Sequence, residues 1–407
     1  MRITPTFLEG VLNVPDSIVA RSRIRPLVAL LLLATMLLAA CGGTPTQSAE
    51  ADDEPAGTEA EATGTDSSTA SATSGMDAVY AELEGLSGDE RHERLLELAK
   101  AEEGVLSFYD SMNGEEGPAI VAAFEEATGL TVERYRASSK DVMTRVIEEA
   151  GADATASDIV AVNGVEAVIL DREGLFAPLE IDVEGYPAEQ VENTWAWTYI
   201  NAYAPWWNTS RVAESDIPTS WEDVLSYDGR LALEVKAFDW FATVVEDYLM
   251  AEQGMSEEEA VGLFRAAAET AVLVNGYSVA GQLLASGEFD MTVGYSWIAD
   301  GVAADGAPVA WQPPVEPMVA RPSAVGVHSD TSRPAQALLY IEFLLDEGQE
   351  ILAEYGRTPA VPTVEGGLPE GVPVLWVDLD QMLDEREKWE GLYAEVLQAS
   401  DSEVLEG

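Results

Sequence analysis

The sequence predicts an α/β protein whose strands form a largely parallel sheet. After residue 102, short apolar runs that predict strands alternate with segments of helical periodicity, in units of roughly thirty residues. This alternation is typical of parallel sheets that carry helices on both faces. The middle of the chain repeats the pattern in "SYDGRLALEVKAFDWFATVVEDYL" and "GEFDMTVGYSWIADG", which predicts a second αβ unit. In such sheets, ligands bind beyond the carboxyl ends of the strands, at the amino ends of the following helices.

The first αβ unit is predicted element by element. Its strands are short runs of β-branched and aromatic residues. Its helices follow polar residues and carry apolar side chains at helical spacing, as at Ile120 and Phe124. The predicted elements are, in order, a strand at 105–109, a helix ending at Gly129, a strand at 131–135, a helix capped by Ser138-Ser139, a strand at 158–162 and a helix from Val165.

Residues 1–40 predict a lipoprotein signal peptide. Three arginines, the last at Arg25, precede an apolar run at 27–38 that is too short to span a bilayer comfortably. The run ends in "LAAC", which resembles the lipobox of bacterial lipoproteins, in which the cysteine is lipidated. Cys41 is the only cysteine of the chain, so an intramolecular disulfide is excluded. The alternative is a transmembrane anchor with an incidental cysteine.

The next segments connect this signal to the folded body. Residues 41–77 consist mainly of Ala, Gly, Ser, Thr, Glu and Asp and cannot bury enough apolar surface to offset the entropy of ordering. They predict a disordered acidic tether, and residues 78–101 predict an amino-terminal helix. The formal net charge of −53 repels nucleic acid and anionic lipid, so contact with the membrane is expected only through the lipid anchor.

The chain resembles a known family of transport proteins. The segments that carry the resemblance are, in order, "KAEEGVLSFYDSMNGEEGPAIVAAFEEATGLTVERYRASSKDVMTRVIEEA", "SDIVAVNGVEAVILDREGLFAPL", "PTSWEDVLSYDGRLALE" and "FLLDEGQEILAEYGRTPAVP". They are similar to the extracellular solute-binding proteins of ABC importers, and most of all to the iron(III)-type branch. The similarity covers residues 98–365.

This resemblance implies a two-lobed periplasmic-binding-protein-like fold of type II, with a ligand cleft between the lobes. It also implies a non-enzymatic, monomeric receptor without a cofactor, which delivers a small ligand to ABC permease subunits. Combined with the lipobox, it predicts a location on the outer face of the cell membrane, anchored through Cys41. The expected first lobe comprises residues 102–204 and 298–330, and the expected second lobe comprises residues 205–297 and 331–407.

Polar side chains at the ends of predicted strands are the candidate ligand-binding residues. They stand where helices begin, so their hydroxyl, amide and backbone N–H groups can converge on one ligand. Asp239 and Trp240 could hold a cationic or hydroxylated solute by charge and stacking, and Tyr295 should reach the edge of the cleft. The complete set is Ser111, Asn113, Ser138, Ser139, Asp239, Trp240, Ser278 and Tyr295. For each of them, ordinary helix capping or packing is the alternative.

Ser278 also raises an enzymatic alternative, a secreted serine hydrolase. It follows a predicted strand and a sharp turn, with Asp300 and His328 downstream in the order of a catalytic triad. However, Ala280 occupies the position where the nucleophile motif requires glycine. We therefore predict that Ser278 is a helix cap that faces the cleft.

The ligand is either a small polar organic solute or ferric iron. Ferric iron favours anionic oxygen ligands, and the resemblance implies two adjacent tyrosines together with a histidine or carboxylate. Here the pair reads Tyr295-Ser296, and the first loop has no histidine. Tyr295 is the candidate metal ligand if iron binds, but the residue inventory favours the organic solute.

Overall fold

Two long antiparallel strands run side by side through the middle of the molecule. In the computed structural model, which describes residues 75–112, 115–152, 154 and 156–406, these strands are β4 (Trp195–Asn208) and β9 (Met318–Val327). Their register pairs Trp195 with Gly326 at one end and Tyr203 with Val319 at the other. The two strands are long enough to serve both halves of the molecule, so the chain crosses between the halves in each of them.

The remaining strands flank this pair within one mixed sheet of the described residues. The order is β2-β1-β3-β9-β4-β7-β5-β6. The other bounds are β1 Leu106–Asp110, β2 Val132–Arg136, β3 Ile159–Asn163, β5 Leu231–Glu234, β6 Val272–Val274, β7 Met291–Tyr295, β8 Val309–Ala310, β10 Thr358–Pro359 and β11 Val374–Trp376. Strands β1, β2 and β3 are parallel to one another, as are β5, β6 and β7, which agrees with the prediction for both αβ units.

Helices cover both faces of the sheet. Several begin at the polar residues that favour helix starts; for example, Ser220 and Ser256 each form a capping box with an acidic residue three positions later. The bounds are α1 Gly75–Leu83, α2 Gly88–Ala101, α3 Glu116–Thr128, α4 Ser139–Gly151, α5 Gly164–Arg172, α6 Trp221–Leu225, α7 Phe238–Thr243, α8 Glu257–Ala268, α9 Tyr277–Ser286, α10 Ser296–Ala304, α11 Pro334–Leu345, α12 Glu347–Glu354, α13 Leu379–Asp384 and α14 Arg386–Leu397. A π-helix at Val244–Glu252 continues α7.

Separate apolar cores define two lobes. Lobe 1 is built on β2, β1 and β3 and on the carboxyl half of β9, with Phe108, Phe124 and Tyr340 in its core. The ring of Tyr340 lies 4.9 Å from each of the two phenylalanine rings. Lobe 2 is built on β5, β6 and β7, and its core includes Phe241 and Trp389.

The predicted lobe boundaries are wrong in two places. Helices α11 and α12, expected in the second lobe as part of residues 331–407, pack into the core of lobe 1. Helix α10, expected in the first lobe as part of residues 298–330, packs through Ala299 beside Trp206 and Ala280 of lobe 2. In both cases the buried face of the helix decides its lobe, and the position along the chain does not.

The amino-terminal helix predicted at 78–101 consists of two helices. α1 ends at Leu83 and α2 begins at Gly88, and between them Gly85 adopts a left-handed φ of 78° that interrupts the helix. α2 is held to lobe 1 by a buried ion pair, in which the guanidinium of Arg91 lies 2.7 Å from the carboxylate of Glu342.

The anchoring segment lies outside the described residues. This applies to the signal peptide at 1–40, to Cys41 and to the tether except for its last three residues, which belong to α1. In the part of the chain that the structure describes, no helix is long and apolar enough to cross a membrane.

Candidate functional site

A cleft between the two lobes forms a cavity of about 760 Å³. Lobe 1 contributes the amino ends of α4 and α5, and lobe 2 contributes the carboxyl ends of β5 and β7 with the amino end of α9. Helix α14 closes one side through Arg386, Glu390 and Tyr393. The cleft therefore lies where the strand–helix connections converge, as the sequence predicts.

Three tyrosines form the floor of the cleft on lobe 2. Tyr203 lies on β4, Tyr277 begins α9, and Tyr295 ends β7. The ring of Tyr295 lies 4.9 Å from that of Tyr203 and 4.6 Å from that of Tyr277. Gly294 permits this packing, because a Cβ atom there would lie 2.7 Å from the ring of Tyr277. Burial raises the pKa of all three phenols, so they are neutral hydroxyl groups at neutral pH.

A buried charge pair lies against these tyrosines. The Nε atom of Arg321 lies 3.0 Å from Oδ2 of Asp239, although the N–H group does not point at that oxygen, so the contact is an ion pair without a hydrogen bond. Arg321 also donates to the hydroxyl of Tyr295. The hydroxyl of Tyr203 donates to both carboxylate oxygens of Asp239, at 2.9 and 3.0 Å. Arg321 thus retains a fixed position on the cleft floor, with 14% of its side chain exposed.

Glu166 faces this charge pair from lobe 1. It lies in the first turn of α5, and its Oε2 atom is buried without a hydrogen-bond partner among the described residues. Burial raises the pKa of the Glu166 carboxyl, and the charge of Arg321 acts in the opposite direction. A buried carboxylate oxygen without a partner is a costly feature, and a cationic ligand group could satisfy it.

Cations are concentrated around the cleft. The chain as a whole has 21 basic and 74 acidic side chains. The lining of the cleft is balanced instead, with four of each kind: Lys140, Lys236, Arg321 and Arg386 against Glu166, Glu234, Asp239 and Glu390. Some of these charges are structural; Arg386, for example, donates to Glu390 at 2.7 Å. The cleft can therefore accept an anionic group despite the overall charge of the protein.

The carboxylate of Glu234 orders the turn that leads into α9. It accepts from the backbone N–H of Lys236 at 2.7 Å and from that of Gly276 at 3.0 Å. Gly276 is the N-cap of α9 with φ of 99°, a conformation that favours glycine. The prediction that Ser278 caps this helix and faces the cleft is therefore wrong. Ser278 is the second residue of the first turn of α9, is exposed and does not line the cleft.

The other predicted site residues are partly brought together. Ser138, Ser139, Asp239 and Tyr295 line the cleft. Ser138 caps α4, and its hydroxyl accepts from the backbone N–H of Asp141 at 3.2 Å. The hydroxyl of Ser139 donates to that of Ser111 at 3.1 Å. Ser111 does not line the cavity, and Asn113 lies outside the described residues.

Trp240 belongs to the core of lobe 2, and the prediction that it stacks on a solute is wrong. It is 1% exposed, and its ring lies 5.6 Å from that of Trp221 and 5.3 Å from that of Phe264. Asp239 and Trp240 are neighbours in the first turn of α7, so their side chains point in different directions. Only the aspartate faces the cleft.

The residues of the hydrolase alternative are engaged elsewhere. Asp300 accepts from the indole N–H of Trp311 at 2.7 Å. His328 is 1% exposed, and its Nδ1 accepts from the backbone N–H of Asp330 at 3.1 Å. Neither side chain lines the cleft.

Sequence reasoning missed four side chains that dominate the cleft. Arg321 carried a signal, since it is the only charged residue in the apolar run "MVARPSAVGV". Tyr277 also carried a signal, because it lies in the turn before a predicted helix. Tyr203 and Glu166 had no local signal, because each lies within an otherwise apolar or helical segment.

The comparisons with known proteins agree with this architecture. The sequence profile of the bacterial extracellular solute-binding proteins matches residues 119–370. Comparison with curated protein sequences finds no significant match.

Many solved structures share the fold. Iron-bound HitA from Pseudomonas aeruginosa is similar with a TM-score of 0.59 and 19% identity, over 72% of this chain and 99% of that chain. The Atu4243 GABA receptor has a TM-score of 0.61 and 16% identity, over 72% and 98% of the two chains. The protein MotA from A. tumefaciens B6, solved with glucopine, has a TM-score of 0.57 and 16% identity, over 72% and 100%.

Proposed function

Because the chain belongs to the bacterial extracellular solute-binding proteins and is a solute receptor of an ABC transporter, we propose that its cleft binds a small zwitterionic organic solute. The family acts outside the cytoplasm, which agrees with the predicted export. The observation that carries the proposal is the opposition of Arg321 on lobe 2 and Glu166 on lobe 1 across one cavity. A solute with an anionic and a cationic group would contact both lobes and thereby favour their closure.

The anionic group of the solute fits the floor of the cleft. Arg321 is held by Asp239 and Tyr295, so little side-chain entropy is lost when it binds a carboxylate. Lys140 and Lys236 at the cleft wall add positive charge. The amino end of α9 lines the same cavity at Gly276 and Tyr277, and helix amino ends favour anions.

The cationic group of the solute fits Glu166. Its unpartnered Oε2 atom can accept a hydrogen bond from an ammonium group. The structural neighbours include a receptor for GABA, itself a zwitterion, which supports a ligand of this class.

A thermal-shift panel tests the proposal. Amino acids and ω-amino acids should raise the melting temperature, and the matching carboxylates or amines alone should do so far less, because ligand binding to the folded state adds stability by mass action. Glu166→Gln should weaken zwitterion binding at least about tenfold, as expected for a charged hydrogen bond. Equal responses to the zwitterion and to its deaminated analogue would contradict the role of Glu166.

Glu166→Gln also separates the contribution of this side chain to solute binding from its contribution to stability. Since burial raises the pKa of Glu166, the folded state takes up its proton at higher pH than the unfolded state does. The free energy of unfolding therefore falls as the pH rises through that range, and the ionised side chain destabilises the protein at pH 7. Glu166→Gln should accordingly melt at a higher temperature than the wild type at neutral pH, while it binds the zwitterion less tightly.

Ferric iron is the second candidate, because the three phenols converge at one place. In the sequence, Tyr295-Ser296 supplies only one of the two adjacent tyrosines that the resemblance implies. In the structure, Tyr203 and Tyr277 from other elements lie beside Tyr295. Against iron, burial raises the pKa of these phenols and Tyr203 donates to Asp239, so phenolate ligands are disfavoured. Ferric citrate belongs in the same panel. A visible phenolate-to-iron band that Tyr295→Phe removes would establish iron in place of the zwitterion.

We also propose that Cys41 carries the lipid that anchors the receptor, since it ends a signal-like segment. Mass spectrometry of the mature protein should find an acylated Cys41 at the amino terminus, and Cys41→Ser should release the protein from the membrane. An unmodified cysteine at that position would refute the anchor.

A further inference from the structure

A second cavity, of about 250 Å³, lies apart from the cleft and is walled by indole rings. Trp195 and Trp197 come from β4, and Trp376 comes from β11. The rings of Trp197 and Trp376 lie 4.8 Å apart at an angle of 52°. Trp376 is 39% exposed, which is unusual for so large an apolar side chain. No residue of this cavity lines the cleft between the lobes. We call it the tryptophan pocket.

The rim of the tryptophan pocket is acidic. Asp171, Glu192 and Asp380 line it, and none of its lining residues is basic. Asp380 forms an ion pair of 2.5 Å with Arg172, which does not itself line the pocket. Asp171 accepts a hydrogen bond from the hydroxyl of Thr194. Glu192 is exposed. The pocket thus combines aromatic walls with a negative rim, which is the chemistry that stabilises organic cations.

One side chain of the pocket wall carries a buried donor that lacks a partner. The indole N–H of Trp197 is buried and has no acceptor among the described residues. Leaving a buried donor unpaired costs free energy, and a ligand oxygen could recover it once a small shift of the pocket wall uncovers the indole N–H. A bare metal or ammonium ion cannot accept this hydrogen bond, whereas an organic cation that also carries a hydroxyl oxygen can.

We propose that the tryptophan pocket binds a small methylated ammonium compound that carries a hydroxyl group. The methylated nitrogen lies against the faces of Trp197 and Trp376, and the hydroxyl oxygen accepts from the indole N–H of Trp197. A pocket of this volume is smaller than those of drug-sized ligands and suits a ligand of a few heavy atoms. Because methylated ammonium groups are weakly hydrated, the aromatic walls can replace their water at low cost.

Choline is the probe, and fluorine NMR of the fluorotryptophan-labelled protein is the readout. The resonance of Trp376 is assigned as the one that is absent in Trp376→Ala. Titration with choline should shift this resonance until the site is saturated. The variant should bind choline at least about tenfold more weakly, as expected when a cation–π wall is removed. Trp376→Phe retains an aromatic face and should recover part of the affinity. Since Trp376 is partly exposed, both variants should melt close to the wild-type temperature.

The controls separate this site from general effects. Tyr355→Ala removes another exposed aromatic side chain, 45% exposed, that does not line the pocket, and it should leave choline binding unchanged. The neutral tert-butyl analogue of choline has the same shape without the charge and should bind much more weakly. Equal binding of this analogue, or choline binding that is unaffected by Trp376→Ala, would overturn the proposal.

Discussion

Arg321→Met is expected to abolish solute binding and to destabilise the protein. Arg321 is the buried cation of the cleft floor, within 3.0 Å of Asp239 and hydrogen-bonded to Tyr295. Its loss removes the positive charge for an anionic solute group and leaves Asp239 buried without its counter-ion. Removing one partner of a buried charge pair costs about 2–5 kcal/mol of binding free energy, and about 3–5 kcal/mol of folding free energy.

Calorimetric titration and chemical denaturation measure the two effects separately. Adding Asp239→Asn to Arg321→Met removes the orphaned charge and should recover much of the stability without restoring binding. Arg94→Met is the matched control, since Arg94 forms exposed ion pairs with Glu82 at 2.5 Å and with Glu97 at 3.0 Å and should affect neither quantity strongly. Wild-type affinity in Arg321→Met would show that the solute does not contact the cleft floor.

Arg357→Met is expected to cause the largest loss of stability outside the cleft. Its guanidinium donates twice to Oε1 of Glu116, and both side chains are 4% exposed. The same guanidinium lies over the ring of Trp297 at 3.7 Å and that of Tyr199 at 4.9 Å. Methionine would leave Glu116 buried and unpaired and would remove both cation–π contacts. The free energy of unfolding should fall by about 3–5 kcal/mol.

A double variant tests this explanation. Glu116→Gln in the Arg357→Met background removes the unpaired charge and should restore part of the lost stability, whereas additive losses would contradict the coupling. Arg265→Met provides the comparison, because Arg265 and Glu395 form an ion pair with side chains 43% and 63% exposed. Its cost should stay below about 1 kcal/mol.

The strands of lobe 1 could be predicted within one residue. Those predicted at 105–109, 131–135 and 158–162 occur at Leu106–Asp110, Val132–Arg136 and Ile159–Asn163. Each is a short apolar or β-branched run bounded by turn residues, so its local sequence favours the same structure as its final environment does. The resemblance then identified the family, because the order of such segments along the chain is itself a pattern.

The composition of the cleft could be predicted only where a side chain follows directly from a strand end. Tyr295 is the last residue of β7, Asp239 lies at the start of the helix that follows β5, and both line the cavity. Trp240 shares the local signal of Asp239 yet points into the core, because the direction of a helical side chain depends on how the helix is rotated against the sheet. That rotation is decided by packing partners from distant parts of the sequence.

The sequence by itself therefore determined the α/β class, the strands of the first unit and the family. Only the tertiary structure decided which residues meet. Tyr203, Tyr277 and Tyr295 come together because β4 pairs with β7, and because α9, which follows the edge strand β6, packs against both of these strands. Helices α11 and α12 belong to lobe 1 because their apolar faces complete its core. Such contacts depend on pairing and burial between segments far apart in the chain, which a local pattern of residues does not encode.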